Sequence, residues 1–165
     1  MIRSLGLIEV LIEIIYFIEQ ILSQWEAVFK GSSHSDNNIS KRKYEKDRLS
    51  EIFKDVYRLL TMLSGEKSCK IYMARWLPLF LKQYYKLKKE FMHEFILQVL
   101  QDPFIIKNCI KEENIQECMM ELRRNFSPEA PEEKYLQLLS AFCRNKSNAV
   151  PGNQLFIMNS FLKPN

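Results

Sequence analysis

Two histidines, four cysteines and a lysine-rich stretch are the residues of this 165-residue chain whose types could do chemistry. His34 lies in a polar run and His93 stands beside Glu94. Neither has a Cys, Asp or Glu partner at ligand or triad spacing, so both read as surface or packing residues. Cys69, Cys109, Cys118 and Cys143 form no CxxC pair and no zinc spacing. They read as reduced, small, apolar side chains of a cytosol-facing protein. There is no Gly-rich phosphate loop, no paired carboxylate in an apolar setting and no Ser/His/Asp order to pursue. The chain therefore reads as non-enzymatic, with no cofactor and no metal. Lys82, Lys86, Lys88 and Lys89 alternate with Tyr84 and Tyr85, a mixture that suits phosphates and stacked bases. At helical spacing Tyr84 and Leu87 share an apolar stripe while Lys82, Lys86 and Lys89 share the opposite face. A solvated helix face is the favoured reading, and nucleic-acid binding the weaker one.

The elements that must position these residues are helical. Nearly half the side chains (47%) are apolar and only 4 residues are Gly, a loop-poor composition that suits one domain over residues 1–165. The net charge of +4 favours anionic partners only mildly. Leu5 to Leu22 follows Arg3 and is apolar enough to pass for a membrane span. Glu9, Glu13 and Glu19 argue against insertion, since an acid near the bilayer centre costs about 2.5–3.5 kcal/mol. The segment reads as an amphipathic helix of a soluble protein, from Ser4 to Phe29, stopped by Gly31.

Gly31 to Ser40 has the composition of a mobile loop, and 31–41 is expected to be one. Leu49, Ile52, Phe53, Val56, Leu59, Leu60 and Leu63 then recur at three and four, a helix ending near Ser64-Gly65. A third helical region carries Ile71, Tyr72, Trp76 and Leu77 until Pro78 interrupts it. The apolar pattern resumes from Leu79 to Leu100 and ends at Asp102-Pro103. A short apolar turn over 104–110, a helix near Glu112 to Arg124, and a break at Ser127-Pro128 and Pro131 follow. Trp25 and Trp76 read as anchors between helices. With no credible strand, the class is all-α. Periodicity leaves an α-solenoid and an irregular stack of antiparallel helices both open.

The chain closes on KYLQLLSAFCRNKSNAVPGNQLFIMNSFLKP, Lys134 to Pro164. It reads as an apolar helix, a polar turn, and a second apolar helix with Pro151 in its first turn. The wording, with Ala149, Val150, Pro151, Asn153 and Gln154 in register after Leu-Leu-Ser-x-Phe-Cys, resembles the close of the ryanodine and inositol trisphosphate receptor homology domain. Pro151 is the form typical of the inositol trisphosphate branch. Val56-Tyr57-Arg58-Leu59-Leu60 is similar to that family's Cys-Tyr-Arg-Val-Leu element, and Tyr72-Met73-Ala74-Arg75 to its Tyr-Ile-Ala-Lys. Arg3 before an Ile/Leu-rich helix is similar to its helix opening.

The resemblance implies an armadillo-like stack acting as a cytosolic regulatory domain of a tetrameric calcium-release channel at the endoplasmic reticulum membrane. Its partners would be the channel's other domains and subunits. The chain then reads as a fragment that begins within the family's first helix region. The resemblance further implies an inositol trisphosphate site shared with an upstream β-trefoil. Arg3 matches the last cation of the family's first basic group, and Lys67 matches the Arg of a Tyr-Arg-Lys-Asn-Gln turn. Lys70 would be an additional anion contact. In that turn Glu66 stands for the Tyr and Ser68 for the Lys, which adds one negative charge and removes one positive. The alternative from a different class is a free-standing helical-repeat scaffold that binds another protein and has no link to calcium.

Overall fold

The computed structural model describes the backbone of residues 2–29, 36–125, 133–145 and 148–162, and the side chains of most of these. The chain divides into two compact units, Met1–Leu63 and Ser64–Asn165.

The first unit is a pair of helices, α1 (Ile2–Phe29) and α2 (Asp36–Leu63), packed along each other. Each has 28 residues and is about 42 Å long, whereas six connecting residues reach at most about 21 Å, so the pair is antiparallel. Ile8, Leu11, Ile12, Ile15 and Ile18 bury the inner face of α1 against Phe53, Val56, Tyr57 and Leu60 of α2. The 3–4 spacing on both helices makes that seam. The Phe53 and Tyr57 rings meet at 5.1 Å.

α2 corrects the loop expected over 31–41. Residues 36–41 are its first turns, and residues 31–35 lie outside the described residues. No apolar period announces those turns, because Asp36 to Lys43 is polar but for Ile39; Tyr44, Lys46, Asp47 and Arg48, which follow, are exposed. The helix continues on propensity and local pairs, such as the Arg48 guanidinium 6.0 Å over the Tyr44 ring one turn back.

The second unit holds the remaining helices. α3 (Lys67–Met73) runs through a single 3-10 turn (Ala74–Trp76) into α4 (Leu77–Leu87), with Pro78 in the first turn of α4, where its missing N–H costs nothing. Trp76 at that joint is half-buried, and the Trp25 side chain lies outside the described residues.

The single helix expected over 79–100 is two. α4 ends at Leu87 and α5 (Glu90–Val99) begins after Lys88 and Lys89. Lys88 is left-handed (φ 50, ψ 37) and its N–H closes on the Tyr84 carbonyl at 2.7 Å. This is the helix-ending geometry usually given to Gly or Asn, so the sequence hid it.

Asp102 caps α6 (Pro103–Asn108) by accepting from the Phe104 N–H at 2.9 Å. The apolar turn expected at 104–110 is thus mostly a short helix. α7 (Glu112–Arg124) starts where Asn114 Oδ1 accepts from the Lys111 N–H at 3.1 Å. The Pro128–Pro131 break lies outside the described residues. α8 (Glu133–Cys143) and α9 (Pro151–Leu162) complete the chain, joined through two short strands, β1 (Arg144–Asn145) and β2 (Asn148–Ala149). These pair antiparallel with Arg144 opposite Ala149, a bridge too short to form a layer, so the class is all-α.

Packing follows a repeat logic. α4 pairs with α5 and α7 with α8; α4 lies on α7, α5 on α8, and α9 on both α7 and α8. Helix pairs stacked partner on partner are the arrangement of a helical-repeat fold. Leu77, Phe80, Leu81, Phe95, Ile96, Ile115, Leu138 and Phe142 fill its centre, with Phe80 and Phe95 edge to face at 4.9 Å. No helix among the described residues is long and apolar enough to cross a membrane.

Candidate functional site

Lys67 opens α3 and is exposed; Lys70, one turn on, is half-buried. Arg3 lies in α1 of the other unit, and its side chain is outside the described residues. The structure therefore places Lys67 and Lys70 together on one short helix. Glu66 is the residue before that helix, in extended conformation (φ -86, ψ 128). Its carboxylate folds back over the first turn. Ser68 Oγ–H donates to Oε1 at 2.5 Å, and the Cys69 thiol donates to Oε2 at 3.5 Å.

These bonds, the Ser68 hydroxyl first and Cys69 second, hold the Glu66 carboxyl below its ordinary range, so it is negative at neutral pH. The sign of the turn follows. An incoming phosphate would meet a carboxylate beside two lysines, and Coulomb repulsion offsets one of the two attractions. The cysteine does not help. Cys69 is fully buried, and burial, then the Glu66 contact, pushes its thiol up, so it stays protonated.

The residues singled out in the terminal hairpin have a definite physical role that sequence spacing did not state. Helix α8 ends with carbonyls that have no intrahelical partner. Asn153 Nδ2 donates to the Phe142 carbonyl at 2.7 Å, and Gln154 Nε2 to the Cys143 carbonyl at 3.4 Å. The Val150 N–H also donates to Cys143, at 2.8 Å. The β1–β2 bridge shortens the turn, and Pro151 starts α9 so that the two amides face back toward α8. The Asn-Gln pair is thus a C-cap supplied by the following helix. Amide side chains in the first turn after a tight connection are the sequence signal for it. On the opposite edge of α9, Arg123 Nη2 of α7 donates to the Ser160 carbonyl at 3.1 Å.

A second feature went unnoticed in the sequence, a buried polar and aromatic cluster shared by α4, α5, α7 and α8. Tyr84, Tyr85, His93, Cys118 and Tyr135 are all 8% exposed or less. The Tyr84 ring lies 5.5 Å from His93 and 5.9 Å from Tyr135, and Tyr85 lies 6.0 Å from Tyr135. His93 Nε2 is 3.2 Å from the Lys134 carbonyl, which can only accept, so Nε2 carries the proton. Burial lowers the His93 pKa, the Lys134 carbonyl opposing. Burial also raises Cys118, to about 12. These groups stay neutral and protonated, a packing role that matches the reading of His93 as a packing residue. His34 lies outside the described residues. Lys134 is also ion-paired to Glu90 across α8 and α5. Among the described residues no group of three or more His, Cys, Asp or Glu is placed to hold a metal.

Comparison with known proteins gives a family match. A family model described as the RIH domain covers residues 1–165. No curated protein and no solved structure matches the chain.

Proposed function

Because this chain belongs to the RIH domain family, the helical domain that ryanodine and inositol trisphosphate receptors share, we propose that it is a regulatory domain of an intracellular ligand-gated calcium-release channel. It would work on the cytosolic side of the endoplasmic reticulum membrane as part of a tetramer. The observation that carries this reading is the α8–α9 joint. The residues that mark the family in sequence, Asn153 and Gln154, tie one helix to the next through its end carbonyls. A joint of that kind makes consecutive helices move together, which suits a domain that passes a rotation along a stack. Such a device changes a channel's opening only if its packing against neighbours differs between the two states.

Surfaces for those neighbours support the reading. α9 has no buried residue, and Leu155, Met158, Phe161 and Leu162 are more than half exposed. A free-standing scaffold would use the same surface, and this observation keeps it as the second reading. In the channel reading Arg3, Lys67 and Lys70 contribute to an inositol phosphate site completed by an upstream β-trefoil, with Pro151 favouring the inositol trisphosphate branch. Glu66 weakens that site, so the trefoil would supply most of its charge.

The test is calcium release from vesicles carrying the full-length product that contains this sequence. Expected is ligand-dependent release that Asn153→Ala with Gln154→Ala changes in its ligand dependence while the tetramer persists. A product with no membrane spans and no release, recovered instead with a protein partner, would favour the scaffold. Titration of inositol trisphosphate into a form containing the trefoil tests the ligand; no heat at high micromolar concentration would remove the site.

A further inference from the structure

From Lys67 to Lys89 the chain has seven basic side chains and no acidic one. The other residues carry seventeen basic against twenty acidic groups, so the net charge of +4 is more than accounted for by this one stretch. It forms α3, the 3-10 turn and α4, all within one compact unit. Lys67, Arg75, Lys82, Lys86, Lys88 and Lys89 are exposed, while Leu77, Phe80, Leu81, Tyr84 and Tyr85 turn inward. Lys82 and Lys86 sit one turn apart, about 6 Å along the axis of α4, and the run from Arg75 to Lys86 spans about 16 Å. Glu90, the first acid after the run, is already ion-paired with Lys134.

We propose that the outer face of the 3-10 turn and α4, from Arg75 to Lys89 and clear of the Glu66 carboxylate that lies over α3, is a docking surface for an acidic, largely apolar-free segment of a partner protein, laid along the α4 axis. Three observations select this occupant by charge and shape. Tyr84 and Tyr85 are 1% and 8% exposed, Tyr72 and Trp76 are half-buried, and the Arg75 guanidinium already lies 5.1 Å over the Tyr72 ring, so the stretch has no well-exposed aromatic ring of the kind on which single-stranded nucleic acid stacks its bases. Among the described residues no large hydrophobic side chain between Met62 and Phe104 is well exposed, so the face has no apolar wedge for a lipid surface. Six of the seven cations are Lys, a flexible point charge, rather than Arg, whose planar fork suits fixed bidentate phosphate contacts. A row of lysines with no apolar rim complements a line of carboxylates, attracts it at a distance and gives a salt-sensitive association.

The experiment uses the full chain and a labelled oligo-glutamate peptide of about a dozen residues, long enough to cover the row. Fluorescence anisotropy is read at about 20 mM and about 200 mM salt, which bracket strong and weak screening. Two charge-reversed variants of equal net charge are compared. One carries Lys82→Glu, Lys86→Glu and Lys89→Glu; the other carries Lys46→Glu, Arg48→Glu and Lys54→Glu on α2. Circular dichroism confirms that both fold. Expected is binding at low salt that falls by about tenfold or more in the first variant and by less than about twofold in the second. Equal losses in both would reduce the effect to net charge and overturn the assignment. So would absence of peptide binding, or binding of phosphatidylserine vesicles or duplex RNA at affinities above that of the peptide.

Discussion

Asn153 of α9 and Phe142 of α8 are eleven positions apart, yet the Asn153 side-chain amide donates a 2.7 Å hydrogen bond to the Phe142 carbonyl. Gln154 repeats the contact one residue on, to Cys143. A helix end is usually capped by its own next residues. Here the cap comes from the first turn of the following helix, so capping and helix–helix orientation are one interaction. Asn153→Ala leaves the Phe142 carbonyl without that donor and should destabilise the second unit by about 1–2 kcal/mol. Asn153→Asp, which keeps size but replaces the donor with acceptors, should cost at least as much. Urea unfolding of the three proteins measures it. A change below about 0.3 kcal/mol for both would show that water replaces the amide freely.

His93 should make stability depend on pH. Folding lowers its pKa from the ordinary 6.5, chiefly by burial. The unfolded chain therefore takes up a proton near 6.5, and the folded chain only at lower pH. The stability that neutral His93 supplies is complete above 6.5 and is lost as the pH falls from there through the folded value. Glu94 and the Glu90–Lys134 pair lie nearby. Unfolding free energies between about pH 7.5 and pH 5 should decline in the parent protein and decline less in His93→Gln, which keeps a donor toward Lys134. Parallel slopes in the two proteins would assign the decline to other groups.

How much of this was legible in sequence depends on burial. Wherever one helix face packs, as for Phe53, Val56, Tyr57 and Leu60, the 3–4 apolar period gave the helix and its inner side. It failed where the sequence has no apolar period: Asp36 to Lys43 is polar but for Ile39, a loop-like composition, yet the backbone there is the start of α2. It failed again at Lys88, where backbone geometry breaks a helix without a Gly to mark it. For the candidate site, the resemblance supplied positions and the structure supplied sign. That Glu66 stands beside Lys67 was visible; that its carboxylate is held over α3 by Ser68 and Cys69 depends on side-chain direction. The Tyr84, His93 and Tyr135 cluster was hidden for a different reason, since it joins three helices at long sequence separation.

Lys88 pays a backbone cost that Gly would not. Its φ of 50 is left-handed, a conformation worth about 1–2 kcal/mol against most side chains. Its ammonium also bonds Asn125 Oδ1 at 2.5 Å, an exposed contact of small value. Comparing Lys88→Gly with Lys88→Ala removes that contact from both variants. The Gly form should be the more stable by about 1 kcal/mol, read from thermal or urea unfolding. Equal stabilities would mean that the α4–α5 joint relaxes out of the left-handed region when the lysine is removed.

The cysteines should divide into two classes. Cys69 and Cys118 are buried and Cys109 and Cys143 half-buried, and burial raises all four thiols above their ordinary 9.0. A charged aromatic disulfide reagent at pH 8 should therefore label Cys109 and Cys143 slowly and leave Cys69 and Cys118 untouched until the protein unfolds. Mass spectrometry of labelled peptides assigns the sites. Early labelling of Cys118 would show that the α7–α8 contact opens on its own.

Glu66 gives the last prediction, because it decides whether α3 attracts or repels an anion. With its carboxylate held negative by Ser68 and Cys69, the two lysines of α3 face a neighbour that offsets one of them. The intact chain should show no shift of the Lys67 and Lys70 amide resonances when inorganic phosphate is added at millimolar levels. Glu66→Lys replaces an acceptor with a third cation and should make those resonances move with a saturable, salt-sensitive curve. Glu66→Gln removes the charge but keeps an acceptor for Ser68, so it should fall between the two. Since one charge at about 5–6 Å in a partly screened setting is worth on the order of 1 kcal/mol, each step should change apparent affinity by roughly fivefold. Binding by the parent chain as strong as by Glu66→Lys would mean that the anion approaches α3 from a side the Glu66 carboxylate does not face.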